Sequence, residues 1–313
     1  MKDLFLQSLR EQTQPIRGAS VLLWGFSGAG FPGGDGAREA ERALSEVGVD
    51  TVYSHRLDPK SREALSRSYD VVIVTNTRIG ELVRHDAAVW ERAPKRALWF
   101  WDLRPGKVAA PLRGAPTHVF LSYRGEWTSP QGERYHPDQW RDSLGVPVGY
   151  CPQGSPMREP APKPGGHQVL FIGDLNNAVY HRGRSQIARA LGAKVINSRT
   201  RDGRLNVESR MPELYASARF SLSMSPLAPG YTSVRTYSIL ACGGCLLLHR
   251  FPGADEIFTD GENAILFDST DEASAKMREA DRDRIAENGR KLHATRHTVA
   301  HRVADICRRV LCC

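Results

Sequence analysis

A chain of 313 residues, 41% hydrophobic and 25% charged, has the composition of a folded globular protein, and its length suits two domains of about 150 residues better than one core. Its formal net charge of +8 draws polyanions and phosphorylated ligands without specifying a fold. Six scattered cysteines do not form a disulfide framework, no run approaches the ~18 apolar residues of a membrane span, and the start MKDLFLQSLREQTQ lacks the apolar block of a secretory signal, so a cytoplasmic location is expected.

Apolar, β-branched or aromatic runs at 20–26, 51–55, 70–75, 96–101, 117–122 and 146–150 predict strands. Residues with helical spacing separate the first four: Ala37, Ala40, Leu44 and Val47, then Ile79, Leu82, Val83 and Trp90. A helix near 135–144 separates the last two. Such alternation predicts a parallel sheet covered on both faces. The stretch 151–166, CPQGSPMREPAPKPGG, holds five prolines and three glycines and reads as a linker. A second α/β series restarts with strands at 167–173, 194–198, 218–224, 244–250 and 264–268. The tail from 279 is one helical pattern with Ile285, Leu292, Val299, Val303, Ile306 and Val310 on a stripe; it either packs on its own domain or crosses back to the first. The expected organisation is a domain over 1–150, a linker over 151–166, a second domain over 167–278 and a C-terminal helix over 279–313.

In doubly wound sheets ligands sit beyond the carboxyl ends of the strands. The first strand runs into Gly28, Gly30 and Gly33, spaced as in the dinucleotide fingerprint. Pro32, Gly34 and Gly36 are expected to delay the following helix, and the second strand ends in His55 and Arg56 instead of an acidic residue, both of which weaken that match. Cys242 and Cys245 form a C-x-x-C without a second ligand pair at zinc spacing, so two small buried residues are expected there, and no metal. The second domain is richer. Gly173 and Asp174 follow a strand, with His181, Arg182 and Arg184 at a helix opening, where backbone N–H groups already favour an anion. Tyr231-Thr232-Ser233-Val234-Arg235 opens a later helix with hydroxyls and a guanidinium, a second anion site.

These segments resemble a known family. FIGDLNNAVYHRGR, SVRTYSILACGG and FPGADEIFTDGENAILF follow in the order and spacing of the donor-binding domain of glycosyltransferases with the two-domain GT-B fold, closest to the spore-maturation, CgeB-like branch. The resemblance covers the last half of the chain; the first half shares only the strand pattern. It implies two Rossmann-like domains facing across a cleft, and no cofactor besides a nucleotide-diphosphate sugar, UDP-sugar in type, as co-substrate. The diphosphate would lie near Gly173, Arg182, Ser233 and Arg235, with Glu256 near the sugar or ribose. Tyr237 stands where many relatives carry a carboxylate that can hold the ribose.

Sugar transfer by such a site needs cations and helix N-termini at the leaving diphosphate, and an inverting enzyme needs a base for the acceptor hydroxyl. Asp102, after the fourth strand, and Asp35, in the glycine loop, are the carboxylates to test; His55 and His118 are weaker. For the acceptor, the basic charge favours a hydroxymethylated base in DNA, as for phage-type transferases. Arg104, Lys107, Arg113, Arg124, Trp127, Arg134, Tyr135, Trp140 and Arg141 mix cations with aromatics in a way that suits a phosphate backbone and an unstacked base. A polysaccharide, lipid, protein or small metabolite is the alternative acceptor. A nicotinamide-dependent oxidoreductase and a non-enzymatic nucleic-acid binder are the alternative functions.

Overall fold

A computed structural model describes residues 1–25, 32–54, 59–75, 87–103, 115–161, 166–175, 183–197, 207 and 210–312. The chain forms two compact units. The N-terminal one comprises Lys2–Glu126, Arg134–Gly154 and Val299–Cys313, and the C-terminal one Met1, Trp127–Glu133 and Ser155–Thr298.

In the N-terminal unit, α1 (Lys2–Thr13) precedes β1 (Ser20–Trp24), α2 (Pro32–Glu46), β2 (Asp50–Ser54), α3 (Pro59–Ser66), β3 (Val71–Thr75), α4 (Ala87–Arg92), β4 (Lys95–Phe100) and β5 (His118–Leu121). Two short strands, β6 (Trp127–Thr128) and β7 (Arg134–Tyr135), then α5 (Pro137–Leu144) and β8 (Val148–Tyr150) follow. The sheet is parallel with strand order β2-β1-β3-β4-β5-β8. All five residues of β3, VVIVT, are buried, as expected of a strand covered on both faces; each fully buried Val or Ile contributes about 1.5–3 kcal/mol. The helix after β1 begins at Pro32, not after Gly36 as the sequence pattern led us to expect. Proline fits the first helical turn because the N–H it lacks has no intrahelical acceptor there.

In the C-terminal unit, β9 (His167–Ile172), α6 (Arg184–Ala190), β10 (Lys194–Ile196), α7 (Met211–Ala216), β11 (Ala218–Ser223), α8 (Val234–Ala241), β12 (Leu246–His249) and β13 (Ile265–Phe267) build a second parallel sheet. Its strand order is β10-β9-β11-β12-β13. Strand order reverses between β9 and β11, which makes the space beyond their carboxyl ends the switch point where such sheets take ligands.

The tail is not the single helix that its periodicity predicted. It is α9 (Thr270–Glu279), α10 (Arg282–Leu292), a π turn over His293–His297 and α11 (Val299–Leu311). Asp281 caps α10 through the Arg284 N–H at 3.2 Å, and Ala280 and Thr298 are extended. A continuous apolar stripe does not register such breaks, because each segment keeps its buried side. α11 belongs to the N-terminal unit, where His301 accepts from Gln12 through its backbone oxygen at 3.0 Å and meets Ser8 Oγ at 3.0 Å. The proline-rich stretch is packed rather than free over its first half. Cys151, Gln153 and Ser155 are all buried, and Ser155 Oγ lies 2.8 Å from His293 Nε2.

Candidate functional site

The chemistry of the C-terminal unit gathers at its switch point. Phe171 and Ile172 end β9 as buried residues, and Gly173 follows with φ +154°, its N–H donating to Ile196 O at 2.9 Å. A side chain at Gly173 would collide: its Cβ would stand 2.5 Å from Arg235 Nη2 and 3.1 Å from Arg235 Cζ. Glycine is therefore required for a guanidinium to lie over the backbone at the strand end.

That guanidinium comes from the first turn of α8. Arg235 Nε donates to Ile172 O at 2.6 Å, Nη1 reaches Met224 O only at 3.4 Å, and Cζ stands 4.6 Å from the Phe171 ring centroid. A second guanidinium approaches from α6. Arg184, buried, donates from Nη1 to Asp174 O at 3.0 Å and from Nη2 to Met224 O at 3.1 Å, its Cζ 5.9 Å from the same ring. Two cations thus share one carbonyl acceptor. Among the described residues no carboxylate pairs with Arg235. Burial pushes its pKa below the ordinary value, Tyr215 and Tyr231 pulling the other way. Arginine does not give up its proton in a protein, so the result is a poorly hydrated cation to which no described residue supplies a counter-charge.

The start of α8 adds donors. Ser233 occupies the N-cap position without capping: its side chain makes no bond to the helix, and its N–H is held by Ser225 Oγ at 3.1 Å. Ser233 Oγ and the buried Thr232 Oγ1 have no hydrogen-bond partner among the described residues. Buried hydroxyls are nearly always paired, and here two unpaired ones adjoin the positive end of a helix and a guanidinium without a counter-ion. The neighbouring hydroxyls are satisfied, Thr236 Oγ1 meeting Ser223 Oγ at 2.8 Å.

The other candidate residues divide sharply. Gly173, Ser233 and Arg235 come together, whereas Arg182 and His181 lie outside the described residues. Tyr237 is a core residue, fully buried, its ring stacked on His297 at 5.0 Å; it is not presented to a ribose, because α8 turns that side toward the core. Glu256 is exposed in the short turn Ala254–Glu256 beyond β12. In the N-terminal unit Asp102 is exposed just past the end of β4. Asp35 lies in the first turn of α2 rather than in a loop, where its charge suits the helix dipole. His118 is half-buried, stacks on Phe120 and is pushed below its ordinary pKa by burial; His55 lies outside the described residues. Cys242 and Cys245 are buried, with thiol pKa values pushed up to about 12 by burial.

The basic and aromatic segment is corrected by packing. Tyr135 and Trp140 are buried, Trp140 against Phe100 at 4.6 Å and Tyr135 against Tyr123 at 6.3 Å. Neither can stack on a base. Arg134 donates to Glu126 at 2.9 Å and Arg141 pairs with Asp138 at 2.8 Å, while Arg124 lies over Tyr150 at 5.7 Å. Arg104, Lys107 and Arg113 lie outside the described residues. Conversely, the diphosphate contacts that the resemblance implies do not include Thr232 or Arg184, which lie in the two helix-start anion sites read from the sequence, and no reading singles out Phe171. The signal for the first two was present, a hydroxyl beside Ser233 and a basic residue at a helix opening; nothing in the sequence marks Phe171 apart from other strand residues.

Twin parallel sheets, one with a guanidinium at its switch point that no described carboxylate pairs, define an α/β protein with a candidate anion site. Residues 170–308 match the model of a family described as glycosyl transferase-like. Among solved structures, HepE of Anabaena in complex with UDP and glucose is 14% identical over 93% of this chain and 99% of its own, with a TM-score of 0.55. An alpha-glucosyltransferase in complex with UDP-glucose and DNA containing an abasic site is 10% identical over 93% and 98%, with a TM-score of 0.59. AviGT4, a glycosyltransferase involved in avilamycin A biosynthesis, is 16% identical over 94% and 98%, with a TM-score of 0.52. No curated protein sequence matches the chain significantly. The chain therefore shares the fold of these structures, and its C-terminal part resembles a glycosyl transferase-like family.

Proposed function

We propose that the protein transfers a sugar from a nucleoside diphosphate sugar, with uridine as the nucleoside, and that the C-terminal unit binds this donor. One observation carries the reading: Arg235, with no carboxylate partner, lies beside Arg184 and two unpartnered hydroxyls at the start of α8. A diphosphate satisfies all of them at once, its oxygens accepting from guanidinium, hydroxyl and helix N–H groups. Uridine is favoured by HepE and the alpha-glucosyltransferase, each solved with UDP or UDP-glucose. In the reaction the bond from the anomeric carbon to the diphosphate breaks, a bond to the acceptor oxygen forms, and the acceptor proton passes to a base. The arginines stabilise the leaving charge, a role for which no metal is needed. Asp102 is the base we would test, with Asp35 second. Arg182 and Glu256 remain proposed donor contacts, and the CgeB-like branch the proposed subfamily.

For the acceptor, net charge and the likeness to a transferase solved with DNA favour a hydroxymethylated base. The buried Tyr135 and Trp140 give that reading no stacking surface, whereas Trp127 of β6 is half-buried. Two experiments test the function. Uridine 5′-diphosphate should raise the melting temperature, by about 2.7 kcal/mol of added stability at a hundredfold excess over Kd. A panel of nucleotide sugars offered with hydroxymethylated DNA, a polysaccharide and small glycosides should then add a hexose or pentose mass to one acceptor. No shift with any nucleoside diphosphate overturns the donor site, and label on a non-DNA acceptor overturns only the DNA reading.

A further inference from the structure

We infer that Phe171 is a positioning residue that holds the Arg235 guanidinium ready for an anion by presenting the face of its ring where most buried arginines find a carboxylate. The inference rests on the reading of Arg235 as a diphosphate ligand. Arg235 Cζ lies 4.6 Å from the Phe171 centroid, well inside the ~6 Å reach of a cation–π attraction. The planar group is then fixed on three sides: below by the ring, at Nε by Ile172 O at 2.6 Å, and at the strand end by Gly173, which leaves room for Nη2. Nη2 has no acceptor among the described residues.

The choice of partner has a chemical consequence. A carboxylate would fix the guanidinium equally well, but it would cancel its charge and occupy the edge donors that a phosphate needs. An aromatic face attracts the cation through its quadrupole, takes no N–H donor in the guanidinium plane and adds no net charge. It also faces the neighbouring cation, since Arg184 Cζ is 5.9 Å from the same centroid and both arginines bond Met224 O. Mutual repulsion of the two is thereby offset in the free protein. Core packing alone would accept Leu or Ile at this buried strand position; only an aromatic ring supplies the quadrupole.

The test replaces Phe171 in the full chain by mono-, di- and pentafluorophenylalanine, which keep the ring's shape while weakening its negative face, and by Leu and Tyr. Two quantities are read: the Kd for uridine 5′-diphosphate by calorimetry, and the order of the Arg235 side chain in the free protein by NMR of its Nε–H. We expect Kd to rise stepwise with fluorination, reaching on the order of 5- to 30-fold, and the Arg235 signal to lose order in parallel. Phe171→Leu should match the pentafluoro variant, and Phe171→Tyr should stay within about twofold of the parent. A melting temperature unchanged across the fluorine series separates this from loss of packing. Flat Kd and flat Arg235 order across that series overturn the inference. If the parent binds no nucleoside diphosphate, it is the donor-site reading that falls, and the Arg235 order series alone then decides the role of Phe171.

Discussion

Replacing Arg235 by Ala should leave the free protein nearly as stable as before and weaken the complex strongly. In the free protein the side chain makes one short bond, Nε to Ile172 O at 2.6 Å, and one long contact, Nη1 to Met224 O at 3.4 Å, besides its position over Phe171. The short bond to a charged donor is worth about 1.5–3 kcal/mol and the ring contact about 0.5–1 kcal/mol. Against these stand the desolvation of a cation without a counter-charge, several kcal/mol on its own, and the repulsion from Arg184. The difference lies within about 1 kcal/mol of zero, which for a chain of this size moves the melting temperature by about 2–4 °C at most.

In the complex the same substitution removes two charge-assisted bonds to phosphate oxygens. At about 1.5–2 kcal/mol each, the Kd for uridine 5′-diphosphate should rise on the order of 100- to 1000-fold. Arg235→Lys keeps the charge without the planar fork and should recover about one factor of ten. Titration calorimetry gives the affinities, and thermal unfolding without ligand gives the stabilities. A variant that loses several kcal/mol of stability, yet binds within about threefold of the parent, would show a structural arginine and refute the reasoning.

Three further outcomes follow from the same geometry. Thr232→Val removes a buried hydroxyl that has no partner among the described residues, so free-protein stability should hold or rise while nucleotide Kd rises about 5- to 10-fold; a destabilised variant with unchanged Kd would assign the hydroxyl to the fold. Asp102→Asn should lower turnover on the order of 100-fold or more and leave donor Kd within about twofold; loss of donor binding would remove it as the base. His249 is held below its ordinary pKa of 6.5, first by burial, with Asp268 opposing. The unfolded chain therefore binds the extra proton, and stability present above pH 6.5 is lost as pH falls below it; His249→Gln should flatten that fall in melting temperature, and an unchanged slope would place the titration elsewhere.

Sequence periodicity was a sufficient guide to both sheets because parallel strands buried on two faces must be written as near-continuous apolar runs, as VVIVT in β3 and VLFI in β9 are. Helix boundaries were less legible. Pro32, read as a delay, opens α2, and the break at His293–His297 leaves the apolar stripe of the tail intact. At the candidate site, Ser233 and Arg235 are legible in the sequence because hydroxyl and guanidinium at a helix start carry their chemistry in their identity. The place of Tyr237 is not legible, because a tyrosine two residues further along α8 can equally be core, and its packing against His297 is a tertiary contact. Phe171 escaped because the quadrupole of a ring matters only where a cation is brought to its face, and Arg184 and Arg235 reach it from 13 and 64 residues away in the chain.

Charge teaches the same lesson at a larger scale. A net charge of +8 sets the long-range field of the molecule, but a ligand at contact distance meets particular arginines, and their partners differ. Arg134 is met by Glu126, Arg141 by Asp138, Arg210 by Glu213, Arg250 by Asp268 and Arg309 by Asp305. Such exposed pairs add about 0–1 kcal/mol to stability, and a phosphate must displace a carboxylate before it can use their donors. Among the described residues Arg235 has no such competitor. Its half-buried position also strengthens an ion contact relative to one in bulk water, because less solvent screens it. One cation to which no described residue supplies a counter-charge is therefore a sharper pointer to a ligand than the excess of arginine over the whole surface, and it lies in the half of the protein that the family model matches.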